Sequence, residues 1–136
     1  MKVAAIDPGR EKCGCAILDS SGKIFFRGII PTEDLPNELE TMFKKFSCDK
    51  IILGNGTSSR NMFEQIRKID PRIEIVDEYK TTELARKRYW VENPPTGWKK
   101  FVPATMLFPP EPVDDWVAVI LAERFLQTQT IKERLI

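Results

Sequence analysis

The sequence contains no histidine. That excludes Ser–His and Cys–His nucleophilic pairs and histidine-ligated zinc. Any metal site must therefore be built from carboxylates, which favours hard ions such as Mg²⁺ or Mn²⁺. Cysteine is scarce. Cys13, Cys15 and Cys48 are an odd number without metal-site spacing, and they read as small buried hydrophobes in a reducing cytosol. No apolar run reaches the roughly 18 residues of a membrane span. The start of the chain lacks the basic-then-apolar pattern of a signal peptide, so a cytoplasmic protein without a membrane partner is expected. An excess of one charge is missing too: the net charge is +1, so any nucleic-acid binding must come from a local patch.

What is present suits one compact domain over residues 1–136, with 42% apolar and 30% charged residues. Lys2–Ile6 reads as a fully buried strand and Cys13–Leu18 as a second apolar run. Lys23–Ile30, beyond the turn Asp19-Ser20-Ser21-Gly22, is a third strand, and the short connections make an antiparallel meander. Asp34 or Thr32 caps an expected helix over Leu35–Phe46, where Leu39, Met42, Phe43 and Phe46 fall at helical spacing. A short strand Lys50–Leu53 precedes a glycine-rich turn and a helix over Arg60–Ile69. Ile73–Val76 is the next strand, and Thr81 or Thr82 caps a helix to Tyr89. Residues 91–112 hold six of the ten prolines and read as a long ordered loop, because Trp98, Phe101, Met106, Leu107 and Phe108 are too apolar for a disordered linker. Val113–Gln127 is a largely buried final helix. This order predicts an α/β fold, a five-stranded mixed sheet of order 3-2-1-4-5 flanked by helices. The first and fourth strands then end side by side.

Ligand sites in such sheets gather at the carboxyl ends of strands. Asp7 closes the first strand, Asp77 and Glu78 follow the fifth, and Asp114 and Asp115 open the last helix. Each has an ordinary reason to be there. Asp7-Pro8-Gly9 is good turn chemistry, Glu78 favours the positive end of a following helix, and aspartate is among the best N-caps. Jointly they offer a carboxylate cluster of the kind that holds two Mg²⁺ ions about 3.5–4 Å apart for phosphodiester hydrolysis. Without metal such charges repel, and one carboxyl pKa rises.

The stretches Ile6–Asp19 (IDPGREKCGCAILD), Ile52–Arg60 (ILGNGTSSR), Val76–Trp90 (VDEYKTTELARKRYW) and Pro112–Leu126 (PVDDWVAVILAERFL) resemble, in order, the motifs of the YqgF/RuvC-like nucleases of the RNase H-like superfamily. The likeness is nearer to YqgF, a branch associated with Holliday junction resolution and with maturation of 16S ribosomal RNA precursors. It implies an RNase H-like fold and a Mg²⁺- or Mn²⁺-dependent endonuclease. It also implies a catalytic and metal-binding set of Asp7, Glu78 and Asp114, with Asp115 as the alternative helix ligand. One departure is that the family's Asp-Glu-Arg reads Asp77-Glu78-Tyr79 here.

Other features fit a nucleic-acid partner, DNA or RNA. Gly54, Asn55, Gly56 and Thr57 lead into a helix start that attracts phosphate, with Arg60 as a further contact. Lys80, Arg86, Lys87, Arg88, Lys99 and Lys100 can steer a backbone, and Tyr89, Trp90 and Trp98 can stack on unpaired bases. Three functions stay open at this stage. The first is an endonuclease on branched DNA or on ribosomal RNA precursor; a junction resolvase needs two active sites, hence a symmetric homodimer. The second is a catalytically inactive binding module of the same fold. The third is a nucleotide-binding fragment of the actin and sugar-kinase type, which shares the first Asp-x-Gly but needs a second domain.

Overall fold

The computed structural model describes residues 1–56, 58–103 and 109–135. Five strands form one sheet: β1 (Lys2–Asp7), β2 (Lys12–Asp19), β3 (Ile24–Pro31), β4 (Lys50–Gly54) and β5 (Ile73–Val76). Their spatial order is β3-β2-β1-β4-β5. β1, β2 and β3 pair antiparallel, as their short connections dictate. β4 and β5 join parallel, each reached through a helical crossover. The helices are α1 (Leu35–Phe46), α2 (Ser59–Ile69), α3 (Thr81–Glu92) and α4 (Asp114–Leu135). The predicted α/β architecture and strand order are those observed.

Alternation along β1 divides the core between the two faces of the sheet. Val3 and Ala5 pack with α3 and α4, through Ala85, Tyr89, Trp116, Ala118 and Leu121. Ala4 and Ile6 pack with α1 and α2, through Leu35, Leu39, Met42, Met62 and Ile66. Each fully buried aliphatic side chain contributes roughly 1.5–3 kcal/mol. Cys13 and Cys15 lie in the second of these clusters, on one face of β2 as their spacing requires, and all three thiols are buried and free. Small residues at Ala5, Ala16, Ala118 and Ala122 let α4 lie close against the sheet.

Several boundaries differ from the sequence reading. α4 runs on to Leu135 rather than ending near Gln127. Apolar periodicity fades there because the helix has passed the sheet, while Lys132 and Arg134 favour its negative end. Neither Thr81 nor Thr82 caps α3. The cap position is Lys80, in a left-handed conformation (φ 57°), and the Thr81 hydroxyl instead donates to the Glu78 carbonyl at 2.7 Å. No side chain caps α1 either, where a turn of 3₁₀ helix over Thr32–Asp34 leads in. Tyr89 is core and Trp90 stands edge-on to it at 5.1 Å, so Tyr89 is not open to bases. Trp98 and Phe101 lie in a 3₁₀ turn (Gly97–Phe101) at 71% and 80% exposure. Met106, Leu107 and Phe108 lie outside the described residues. No helix among the described residues is long and apolar enough to cross a membrane.

Candidate acidic site at the carboxyl edge of the sheet

Asp7 ends β1, and its side chain follows Val3 and Ala5 to the α3/α4 face. Its neighbours on both sides are glycines. Gly14 of β2 is its register partner, and Gly54 follows Leu53, the partner of Ile6 on β4. Each vacancy is filled from elsewhere in the chain. A Cβ on Gly14 would collide with the backbone carbonyl of Asp114 at the start of α4. A Cβ on Gly54 would collide with the Glu78 carboxylate, and one on Gly56 would stand 2.9 Å from Glu78 Oε2. The sheet thus draws Glu78 and the first turn of α4 down beside Asp7. Gly54 and Gly56, expected in a phosphate loop, make room for a carboxylate instead.

The turn carrying Glu78 is held from β4. The Asn55 side-chain carbonyl accepts from the Glu78 N–H at 3.1 Å, and its amide donates to Asp77 Oδ1 at 3.4 Å. Asn55 is therefore engaged within the protein, an outcome the glycine-rich stretch did not announce. Among the described residues, Glu78 Oε1 is buried and has no hydrogen-bond partner. Burial first, then the adjoining Glu78 carboxyl through side-chain hydrogen bonding and its charge, and last the charge of Asp114, push the Asp7 carboxyl up to about 8. The expected rise of one carboxyl pKa falls on Asp7.

The two aspartates of α4 part company. Asp115 Oδ2 meets Arg27 Nε at 3.1 Å, and its other oxygen accepts from the Trp116 N–H at 3.0 Å. Arg27 also lies 4.0 Å over the Trp116 ring. Asp115 is thereby neutralised on the β3 side. Asp114 is the one whose charge reaches Asp7, and its Oδ2 stands 3.5 Å from Lys12 Nζ. Among the described residues no three His, Cys, Asp or Glu side chains form a ready-made metal cage. Asp7 and Glu78 meet, while Asp114 leans toward Lys12. An all-oxygen donor set with an orphaned buried carboxylate oxygen nevertheless fits a hard divalent ion.

The cationic residues are more scattered. Arg60 opens α2, Lys80 Nζ rests 5.4 Å over the Tyr79 ring, and Arg86 and Lys87 are exposed on α3. Arg88 is committed to Glu123 at 2.7 Å and Glu92 at 3.3 Å. Thr57 lies outside the described residues. Gly14, Lys12 and Arg27 escaped the sequence reading. The tight hairpin placing Gly14 opposite Asp7 was the available signal for the first; Lys12 and Arg27 carried none.

No protein-family model matches the sequence, and no curated protein matches it. Solved structures do. Thermus thermophilus RuvC in complex with a Holliday junction substrate matches with a TM-score of 0.59, at 11% identity over 96% of each chain. Fowlpox virus resolvase with Holliday junction DNA matches at 0.56, with 10% identity over 95% of this chain and 99% of that one. The fold is that of the RuvC-like resolvases. A further Thermus thermophilus RuvC structure agrees, at 0.55 and 11% identity over 93% of this chain and 96% of the other. At these identities the likeness to RuvC and the poxvirus resolvase is one of fold.

Proposed function

We propose that this chain is a divalent-metal-dependent endonuclease that cuts phosphodiester bonds in branched, junction-like DNA. The observation that carries the reading is the glycine-flanked Asp7, against which the chain stacks the Glu78 carboxylate and the start of α4. The RuvC and poxvirus structures of this fold hold Holliday junctions, which supports the substrate class. Asp7, Glu78 and Asp114 are the residues that would hold Mg²⁺ or Mn²⁺. Bound there, the ion supplies Lewis acidity toward the phosphodiester and a water of lowered pKa.

The chain's own residues do the rest. Asp7 and Glu78 would face the ion as carboxylates once the Asp7 proton is lost. Asp114, held 3.5 Å from Lys12 Nζ, would supply a third oxygen from the start of α4. Arg60, Lys80, Arg86 and Lys87 orient the strand from around the rim. Both strands of a junction need cutting, so a symmetric homodimer suits the work. Processing of ribosomal RNA precursors is the competing substrate assignment, and the YqgF-like motifs are what favour it.

A cleavage panel of four-way junction, flap, duplex and rRNA precursor with Mg²⁺ or Mn²⁺ tests the proposal. Junction cutting is expected to fall at least about 100-fold in Asp7→Asn, with binding retained. An intact panel at every metal concentration, with binding undiminished, would leave only the inactive binding module.

A further inference from the structure

Asp7 faces α4, but the loop that follows it turns to the other side of the sheet edge. There it walls a polar cleft that no part of the acidic site uses. Two adjoining hollows, about 700 Å³ and 150 Å³, share Arg10, Thr32 and Gln65. Glu11 and Glu33 line the first, and Asn61 the second.

The walls are held in place. The Thr32 hydroxyl donates to the Gly9 carbonyl at 2.9 Å, and the Thr32 N–H donates to the Glu11 carbonyl at 2.9 Å. Below them the buried Cys13 thiol lies 3.3 Å from Thr32 Oγ1. A Cβ on Gly9 would strike the Lys12 carbonyl, so this turn accepts no bulkier residue. The opposite wall is α2, where Asn61 and Gln65 stand four residues apart and so on one helix face.

Three of the cleft's polar side chains are uncommitted. Among the described residues, Arg10 has no ion pair although Glu11 and Glu33 share its cleft, and the Asn61 and Gln65 amides make no side-chain hydrogen bond. One guanidinium suits one phosphate, and two aligned amides suit sugar and base-edge groups. Two carboxylates on the rim argue against a dense polyanion such as a second duplex. Arg10 is three residues beyond Asp7, at most about 10 Å of chain. With the two side chains reaching out from that short segment, a single strand can touch both within a few nucleotides.

We propose that this cleft is a second nucleic-acid subsite, receiving one strand of the substrate a few nucleotides from the bond at Asp7, with Arg10 on its phosphate. This rests on the nuclease reading above and gives the enzyme a grip on a single strand as it leaves the branch point. The strand crosses the sheet edge from the α4 side to the α2 side. That path suits a splayed branch better than a continuous duplex.

The test is a fluorescence-anisotropy titration of the full chain carrying Asp7→Asn, with Mg²⁺, against a labelled four-way junction and a single-stranded arm over a range of salt. Adding Arg10→Gln is expected to weaken both by about 3- to 10-fold and to reduce the log K against log salt slope by about one. Glu33→Gln is expected to move affinity the other way, by about two-fold, which a misfolded variant would not do. Unchanged affinity and slope in Arg10→Gln would overturn the cleft assignment alone, provided the otherwise unaltered chain still cuts junctions. Failure of that chain to bind or cut any nucleic acid would overturn both readings. A peptide displacing nothing but filling the cleft in a chemical-shift titration, with Arg10→Gln silent on DNA, would assign it to a protein partner.

Discussion

At the scale of single residues, Asp7 carries a stability cost. Burial, with Glu78 and Asp114 alongside, holds its carboxyl near 8, whereas an unfolded aspartate titrates near 3.8. Between those values the metal-free folded chain binds a proton that the unfolded chain has released. Stability is therefore present below about pH 4 and is lost as the pH climbs toward 8, by at most about 1.4 kcal/mol per unit. In the absence of metal, Asp7→Asn should flatten this slope and exceed the wild type in stability at pH 8, measured by denaturant unfolding at several pH values. Parallel curves for the two proteins would contradict the placement of Asp7. The flanking glycines separate two kinds of crowding. Gly54→Ala pushes on the tip of a flexible Glu78 side chain, so the fold should survive while the pH slope shrinks. Gly14→Ala pushes on the backbone of α4 and should cost about 3 kcal/mol. Thermal melts of the pair, read beside their pH profiles, check both.

At the scale of elements, the first turn of α4 is set by contacts from β3. Arg27 pairs with Asp115 and covers Trp116, while Asp114 sits beside Lys12 with its charge felt at Asp7. Arg27→Leu should lower stability by about 1 kcal/mol, the worth of one half-exposed ion pair and a cation–π contact. Its larger effect should be on Mg²⁺ affinity, read by isothermal titration, because a freed Asp115 competes with Asp114 for the same turn. Arg27→Lys should recover part of the stability. Equal Mg²⁺ affinity in all three proteins would show that Arg27 does not sort the two aspartates. Most of these elements were legible beforehand. Leu35–Phe46 and Ile73–Val76 occupy their expected ranges because apolar spacing, Pro31 and Pro71 mark them locally. The far end of α4 was not, since a helix leaving the sheet keeps no apolar stripe.

At the scale of the whole molecule, a net charge of +1 means that the proposed nucleic-acid binding would rest on local patches. The exposed Trp98, followed by Lys99 and Lys100, is one such patch on the long connection between α3 and α4. Trp116 is buried and Trp90 partly so, which leaves Trp98 as the open indole among the described residues. Trp98→Ala should therefore weaken binding to a junction with unpaired bases, by about 1–3 kcal/mol if it stacks on one base. Binding to uninterrupted duplex should not change. The same substitution should remove any fluorescence quenching on binding, and quenching that persists would point to one of the other two tryptophans.

Local chemistry in the chain determined the elements, their order and the carboxylates at their ends. Apolar runs, prolines and turn residues act over a few neighbours and can be read without coordinates. The absence of histidine, with three cysteines not spaced for a metal, likewise pointed any metal site toward oxygen ligands. Only the tertiary structure decided that Asp115 pairs with Arg27 while Asp114 sits beside Lys12, that Gly14 and Gly54 are the vacancies accommodating α4 and Glu78, and that Asn55 holds a turn. Each of those outcomes depends on register between strands and on side chains distant in sequence. No local pattern encodes that.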